Sequence, residues 1–224
     1  MSQYLIDPPP VSAVPVKGGG LFPVRRIFCV GRNYAEHIRE MGGEPEREAP
    51  FFFTKPADAV VESGSRIPYP PATANLHHEG EMVLAIGKAG AMVAEADAAA
   101  LIWGHAAGND LTRRDLQTEA KASRRPWDMA KGFDRSAVVG PIRPGALSDA
   151  TLRCSVNGST RQEARLSQMI WTPAAIIAAL SRLVSLSPGD LIFTGTPAGV
   201  ASVFEGDTLV GRVTGMAPLQ IRLI

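Results

Sequence analysis

The sequence predicts a β-rich α+β fold. Short runs of β-branched, aromatic and other apolar residues recur along the chain, and turns rich in Gly and Pro separate them. Only a few well-separated segments look helical, which is typical of an α+β domain. The chain has 224 residues, of which 45% are hydrophobic and 20% charged, so it can bury a core without disulfides.

The first twenty residues differ in composition from the rest. Prolines at positions 8–10 and glycines at 18–20 argue against a helix and predict an extended arm over residues 1–20. Beyond this arm there is no second change in composition, no low-complexity tract and no internal repeat. Residues 21–224 are therefore expected to form one domain.

The first predicted elements are short. Residues 26–30 form a β-like run, and a short helix is expected over 33–41 with Asn33 as its N-cap. The sequence Phe-Phe-Phe-Thr at 51–54 predicts an aromatic strand.

A longer apolar run follows. Residues 76–86 predict a strand whose second half is buried on both faces. An Ala-rich helix is expected over 95–103, after which 104–110 returns as a strand or loop.

The second half contains the two clearest helices. One is expected over 112–122, where Thr112 and Asp115 have the spacing of a capping box. The other opens with Thr172-Pro173 and carries its apolar residues on one face. Further strands are expected at 191–194 and within 207–224.

Composition and charge exclude several classes of protein. The net charge is only +1, so no global field would attract nucleic acid or an anionic membrane, and disorder is excluded as the dominant state. Cys29 and Cys154 are too few and too far apart for a disulfide framework or a zinc site. The N-terminus lacks the pattern of a secretory signal, and the longest uncharged stretch, 166–181, is too short to span a bilayer. A cytoplasmic protein is expected.

The segment Glu79-Gly80-Glu81 carries the strongest indication of a functional site. Alternate residues of a strand share a face, so both carboxylates point the same way at the start of an apolar run. Like charges at the edge of a core repel each other and lose hydration unless a proton, a cationic partner or a metal offsets them. A solvent-facing pair at a strand end is the alternative.

Asp110 is a third candidate acid, because it follows a strand-like run and precedes a helix. An acid that merely favours a helix N-terminus is the alternative. Three carboxylates without cysteine ligands would suit a hard cation bound through oxygen.

The next helix places Arg114, Gln117 and Lys121 on one stripe, at spacings of three and four residues. This face would suit an anionic substrate rich in oxygen, and an exposed solvated face is the alternative. Lys131 lies among small and aromatic residues, where a lysine with its ammonium in solvent is the ordinary interpretation.

His37 and Glu40 are three residues apart on a predicted helix, so their side chains can meet. A neighbouring carboxylate raises the basicity of an imidazole and orients it, as a general base for water requires. A surface ion pair is the alternative.

Six sequence motifs follow one another between residues 31 and 200. They are GRNYAEHIREM (31–41), FFFTKPADAVV (51–61), LHHEGE (76–81), NDLTRRDLQ (109–117), PWDMAKGFD (126–134) and GDLIFTGTPAGV (189–200). Together they resemble the fumarylacetoacetate hydrolase family, over nearly everything after about residue 24. The stretches YPPATANLHHE and RRDLQTEAKASRRPWDMAKGFD look most similar to the members that hydrolyse fumarylpyruvate, with acylpyruvases close behind.

The resemblance implies a mixed β-sandwich roll, usually in a homodimer, with Mg²⁺ or Mn²⁺ as cofactor. The metal ligands of the family match Glu79, Glu81 and Asp110. Its catalytic His/Glu dyad, on a helix that can close over the site, matches His37 and Glu40.

Further positions carry over in the same way. Arg114 and Gln117 match substrate-binding residues, Lys131 matches the lysine of the A-K-x-F motif, and Thr196 would help to hold the substrate carboxylate. Gly80 departs from the family, in which a larger apolar residue is common at this position. The glycine is expected to loosen the strand between two ligands.

The implied function is hydrolysis of the carbon–carbon bond of a small-molecule 2,4-diketo acid, with fumarylpyruvate giving fumarate and pyruvate as in gentisate breakdown. Relatives that decarboxylate oxaloacetate or isomerise dienoate diacids share the same enolate chemistry and are alternatives. A binding protein without catalysis is a second alternative. Short basic pairs such as Arg124-Arg125 do not predict nucleic-acid binding. Either arginine, or the loop 42–50, could bind a second substrate carboxylate.

Overall fold

The computed structural model describes residues 4–44 and 49–224, so part of the predicted loop 42–50 lies outside the described residues. The strands are β1 Ala13–Pro15, β2 Leu21–Pro23, β3 Arg26–Gly31, β4 Phe51–Lys55, β5 Val60–Glu62, β6 Arg66–Ile67, β7 Leu76–His78, β8 Gly80–Ile86, β9 Ile102–Asp110, β10 Thr112–Arg113, β11 Ala137–Val139, β12 Arg143–Pro144, β13 Thr151–Val156, β14 Ser159–Arg165, β15 Asp190–Phe193, β16 Ala201–Val203, β17 Thr208–Val213 and β18 Leu219–Leu223. The helices are α1 Ala35–Glu40, α2 Glu95–Ala98, α3 Arg114–Ala122, α4 Asp128–Lys131 and α5 Pro173–Leu183, with 3₁₀ turns at Ala57–Ala59, Ala99–Leu101 and Leu166–Gln168.

Two large sheets organise the chain. Eight strands form a mixed sheet in the order β4-β3-β15-β8-β9-β11-β5, with β12 pairing to β9, and this sheet curls into a half-barrel. A second sheet has the order β14-β13-β17-β18-β6 and packs against β8 and β9. In a three-stranded sheet, β10-β7-β16, the strand that precedes Glu79 pairs with β10 on one side and β16 on the other. The predicted β-rich α+β class is confirmed.

The alternation of side chains along the curled sheet builds a core on each face. Val83, Ala85 and Ala106 point to the inner face, which the β1–β2 hairpin closes with Val14. Met82 and Leu84 point outward and pack against the apolar face of α5. Because every second residue of β8 is inward, Glu81 lies on the same inner face as Val83 and Ala85.

Several predicted element ends shift for identifiable reasons. Helix α1 begins at Ala35 after Tyr34, because the Asn33 side chain bonds to the backbone of Trp171 and Thr194 instead of capping the helix. The predicted helix 112–122 begins only at Arg114. Its capping box is wrong, since the Asp115 carboxylate accepts hydrogen bonds from Thr73 and Ala74.

Two further predicted elements are broken in the structure, and one is confirmed. The predicted helix 95–103 is one helical turn and one 3₁₀ turn, after which β9 starts at Ile102. The predicted strand 76–86 is interrupted at Glu79. Helix α5 is confirmed with its cap, the Thr172 hydroxyl accepting from the Ala175 N–H at 3.1 Å.

The boundary expected at residue 20 falls in the turn between β1 and β2, and the division into an arm and a body stays a prediction. Within the described residues, no helix is long and apolar enough to cross a membrane.

Candidate active site

Three buried carboxylates converge at one end of the curled sheet. Glu79 lies in the break between β7 and β8, Glu81 lies in β8, and Asp110 ends β9. Strands β8 and β9 pair antiparallel with Glu81 opposite Gly108, which brings the three side chains to the same face. Each residue offers an oxygen within 4.8 Å of the other two, and none is more than 5% exposed. The shared face predicted for Glu79 and Glu81 therefore points into the protein.

Two buried lysines lie against these carboxylates. The ammonium of Lys131 is 2.8 Å from both Glu79 Oε2 and Asp110 Oδ2, and 2.7 Å from the Thr112 hydroxyl. The ammonium of Lys55 lies 2.7 Å from Asp110 Oδ1, a charge contact without the angles of a hydrogen bond. Lys131 is only 3% exposed, so the ordinary solvent-facing interpretation of this lysine is wrong.

Sequence reasoning did not single out Lys55. Its signal was a charged residue in the apolar strand Phe51–Lys55, two positions after Phe53 and hence on the same face. The structure shows why a charge is tolerated there. Lys55 donates to the carbonyls of Leu111 and Lys131 and is fully enclosed beside Asp110.

The electrostatic environment shifts the pKa values of the two glutamates in opposite directions. Burial acts to raise the pKa of Glu79, but Lys131 and Arg114 overcome it and hold this pKa below its ordinary value. Burial raises the pKa of Glu81 well above its ordinary value, and the charges of Asp110 and Glu79 raise it further. The Gly195 N–H, at 2.6 Å, gives Glu81 only partial relief. A cation among the three acids would offset this repulsion.

Arg114 is held from three sides. Its guanidinium pairs with Glu79, its Nη1 donates to Gln117 Oε1 at 2.5 Å, and its Nε donates to His77 Nδ1 at 3.3 Å. Burial, followed by the charge of Arg114, lowers the pKa of His77 to about 4, so His77 accepts this bond as a neutral ring. His77 is therefore a positioning residue for Arg114 that the sequence did not reveal.

The predicted histidine–glutamate pair forms. His37 Nδ1 lies 3.2 Å from Glu40 Oε2, and the Glu40 carboxylate also accepts from the Gly199 N–H at 3.0 Å. Burial lowers the pKa of His37, against the opposing effect of Glu79 and Glu40. A neutral imidazole, oriented by a carboxylate, is the form that accepts a proton from water.

Gln162 ties the acidic strand to the loop that carries Thr196. Its Oε1 accepts from the Gly80 N–H at 2.9 Å and from His78 Nδ1 at 3.2 Å. Its amide nitrogen donates to the Thr196 hydroxyl and to the Pro197 carbonyl, both at 2.7 Å. The Thr196 hydroxyl in turn donates to the Gly80 carbonyl at 2.8 Å, so its proton serves the backbone here.

Packing between the two sheets requires a residue without a side chain at position 80. A Cβ at this position would lie 2.8 Å from the Cβ of Cys154 in the second sheet, closer than two carbons can approach. Gly80 lies opposite Asn109 of β9, its N–H donates to Gln162 Oε1, and its carbonyl accepts from the Thr196 hydroxyl. Close contact between the sheets explains the glycine, and the expected loosening of the strand between two ligands stays a prediction.

One cavity of about 70 Å³ joins these groups. Seven of the nine residues implied by the resemblance line it, and the other two, Glu40 and Asp110, contact His37 and Lys131. The seven are His37, Glu79, Glu81, Arg114, Gln117, Lys131 and Thr196. An aromatic cavity of about 440 Å³, lined by Phe51, Phe53 and Trp127, adjoins it.

Known proteins share this architecture. The model of the family described as fumarylacetoacetate (FAA) hydrolase C-terminal matches residues 26–224. The chain belongs to the fumarylacetoacetate hydrolase family. The resemblance drawn from six motifs is thus confirmed. A fumarylpyruvate hydrolase from a Ralstonia species is 45% identical over 177 residues, which are 78% of this chain and 92% of that protein.

Solved members of the family have the same fold. The fumarylpyruvate hydrolase from Pseudomonas aeruginosa, solved in complex with Mn²⁺ and pyruvate, has a TM-score of 0.96 and 45% identity over 99% of both chains. A putative fumarylpyruvate hydrolase from Burkholderia cenocepacia has a TM-score of 0.92 and 50% identity, over 100% of this chain and 95% of that one.

Proposed function

We propose that this protein is a Mg²⁺- or Mn²⁺-dependent hydrolase that cleaves the carbon–carbon bond of a 2,4-diketo acid, converting fumarylpyruvate to fumarate and pyruvate. The observation that carries the proposal is the meeting of three buried carboxylates with the His37–Glu40 pair at one cavity. The similarity to the Pseudomonas aeruginosa enzyme, solved with Mn²⁺ and pyruvate, supports both the metal and one of the two products.

The residues present fit a divalent metal. Glu79, Glu81 and Asp110 offer only oxygen donors, which Mg²⁺ and Mn²⁺ prefer, and the buried charge at Glu81 lacks a full counter-charge. When bound there, the cation supplies a Lewis acid for the oxygens of the 2-oxo acid and for the negative charge that develops on the pyruvate half.

His37 is the proposed general base. Its Nδ1 faces Glu40, which assigns the proton of the neutral ring to Nδ1 and leaves Nε2 to accept one. A water molecule gives its proton to Nε2 while its oxygen attacks the carbonyl carbon at position 4. The bond between carbons 3 and 4 then breaks, carbon 3 takes the electron pair, and the proton held on His37 Nε2 passes to carbon 3 to complete pyruvate. The second proton of the water is released when the new carboxylic acid ionises to fumarate.

Gln117, Lys131 and Arg114 supply the electrostatics. Because Arg114 occupies the Oε1 of Gln117, the amide NH₂ of Gln117 is the part that can donate to the oxyanion at the attacked carbonyl. One such donor contributes roughly 3 kcal/mol to the transition state. Lys131 directs its protons to Glu79, Asp110 and Thr112, so its donation to substrate requires exchange of one of these contacts.

A substrate panel tests the proposal. Fumarylpyruvate, acetylpyruvate and oxaloacetate are assayed with Mg²⁺, with Mn²⁺ and with EDTA, and pyruvate and fumarate are measured. We expect equal amounts of the two products from fumarylpyruvate, only with metal. Release of pyruvate from oxaloacetate alone would contradict the proposal and favour the decarboxylase alternative.

We also propose, from the family resemblance, that the protein acts in gentisate breakdown in the cytoplasm as a homodimer. Light scattering coupled to size-exclusion chromatography tests the dimer. Growth of a deletion strain on gentisate tests the pathway.

A further inference from the structure

Among the residues that the structure describes, two cations at the mouth of the active-site cavity have no acidic partner. Arg32 and Lys121 line the same cavity as Glu79, Glu81 and Lys131. Both side chains are exposed, and among residues 4–44 and 49–224 neither has a carboxylate within 4 Å of its charged nitrogens. They are free to bind an anion that enters the cavity.

The backbone holds Arg32 in place at a cost. Its φ of 56° lies in the left-handed region, which is unfavourable for a residue with a side chain. The next residue, Asn33, enforces the turn: its amide donates to the carbonyls of Trp171 and Thr194 at 3.0 and 2.8 Å, and its oxygen accepts from the Trp171 N–H at 2.7 Å. Strain that the surroundings maintain in this way is common at binding sites.

Lys121 follows Gln117 by one helical turn. Its ammonium lies 5.1 Å from the centre of the Trp127 ring, between the carboxylate cavity and the aromatic cavity. Burial lowers the pKa of Lys121, and the positive charges of Arg114 and Arg32 lower it further. Like charges collected at one opening favour an anion between them.

The balance of charge separates an inner from an outer part of the site. The three carboxylates are equal in number to the inner cations Lys55, Lys131 and Arg114, but the ion pairs of these cations are with Glu79 and Asp110 and not with Glu81. A divalent metal adds two positive charges, which suit the oxo-acid end of the substrate. Arg32 and Lys121 are additional. Lys121 lies over Trp127 of the aromatic cavity, where a planar unsaturated acyl chain fits, and Arg32 is close enough to Lys121 to lower its pKa.

We propose that Arg32 and Lys121 bind the carboxylate at the acyl end of a dianionic substrate, so that they select fumarylpyruvate over diketo acids with a neutral acyl group. This inference rests on the proposed function. Arg125 is the competing residue, because it lines only the aromatic cavity and lies 4.0 Å from Glu119. Arg124 lines neither cavity.

The test measures kcat/KM for fumarylpyruvate and for acetylpyruvate, which lacks the second carboxylate. The variants are Arg32→Gln, Lys121→Met and Arg125→Gln, with the exposed Lys88→Met as control. We expect the ratio of the two kcat/KM values to fall roughly 10- to 100-fold in the first two variants, as loss of a charge-assisted hydrogen bond predicts. Arg32→Lys is expected to recover part of the ratio. The thermal shift produced by Mn²⁺ verifies that each variant is folded.

The outcomes are distinguishable. An unchanged ratio in both Arg32→Gln and Lys121→Met, with a wild type that cleaves fumarylpyruvate, overturns the inference and leaves the proposed function intact. A selective fall in Arg125→Gln alone assigns the carboxylate to Arg125 and also overturns it. A wild type that cleaves neither substrate overturns the proposed function, and the inference with it.

Discussion

Glu81→Gln should make the metal-free protein more stable. At an effective dielectric constant of 20, two carboxylates with oxygens 4.8 Å apart repel each other by about 3 kcal/mol, and Glu79 and Asp110 each have an oxygen within 4.8 Å of one of Glu81. Proton uptake limits the cost, because holding a carboxyl neutral costs about 1.4 kcal/mol per pH unit above its ordinary pKa. Lys131 offsets part of the repulsion. We therefore expect a gain of about 2–3 kcal/mol in the free energy of unfolding at pH 7.5.

Urea unfolding followed by circular dichroism, in EDTA and in MnCl₂, measures this gain. At a metal concentration of 100 Kd the wild type should gain about 2.7 kcal/mol from Mn²⁺, and Glu81→Gln much less, because a charged donor is lost. Glu163→Gln removes an exposed carboxylate paired with Arg153 and should change stability by less than about 1 kcal/mol in both buffers. The reasoning is refuted if Glu81→Gln is less stable than the wild type in EDTA, or gains as much from Mn²⁺.

Three further predictions address the base and the packing around the acids. His37→Gln should lower kcat by roughly 10²–10⁴-fold and keep the thermal shift with Mn²⁺. The kcat/KM of the wild type should fall only below pH 6.5, because burial lowers the pKa of His37 and the neutral base is lost as the pH drops through that pKa. Gly80→Ala should cost about 2 kcal/mol in urea unfolding, because its Cβ would lie 2.8 Å from a Cβ of β13, whereas Gly211→Ala, with no neighbour within 3.5 Å, should cost less; equal losses would contradict the packing argument. Gln162→Met should cost about 3 kcal/mol and lower kcat, since buried donors and acceptors lose their partners, and the exposed Gln220→Met should change stability by less than about 0.5 kcal/mol in the same assay.

Residues close together in sequence were placed correctly because local geometry decides their relation. His37 and Glu40 meet since three residues make nearly one helical turn, and Arg114 and Gln117 meet for the same reason. Glu79 and Glu81 share a face because side chains alternate along an extended chain. Each of these relations follows from the period of a helix or strand.

Contacts between distant segments could not be predicted from the period of a helix or strand. Lys55 lies 55 residues from the carboxylate it neutralises, and Gln162 reaches Gly80 from a different sheet. No local period encodes such pairs, since register and packing between the sheets set them. Asn33 and Asp115 illustrate the same limit: both had the residue type of a helix cap, but partners brought by the fold, at Trp171 and Thr73, took their hydrogen bonds.

The sequence by itself determined the chemistry available to this protein: its motifs, their order and the β-rich class of its fold. Only the tertiary structure decided which charges face one another. It buries Lys131 against carboxylates, although its sequence surroundings suggested an ammonium in solvent. It also leaves Arg32 and Lys121, which line the cavity, without an acidic partner among the described residues. The physical reason is that burial and charge pairing depend on distances between segments, and these distances exist only once the two sheets have packed.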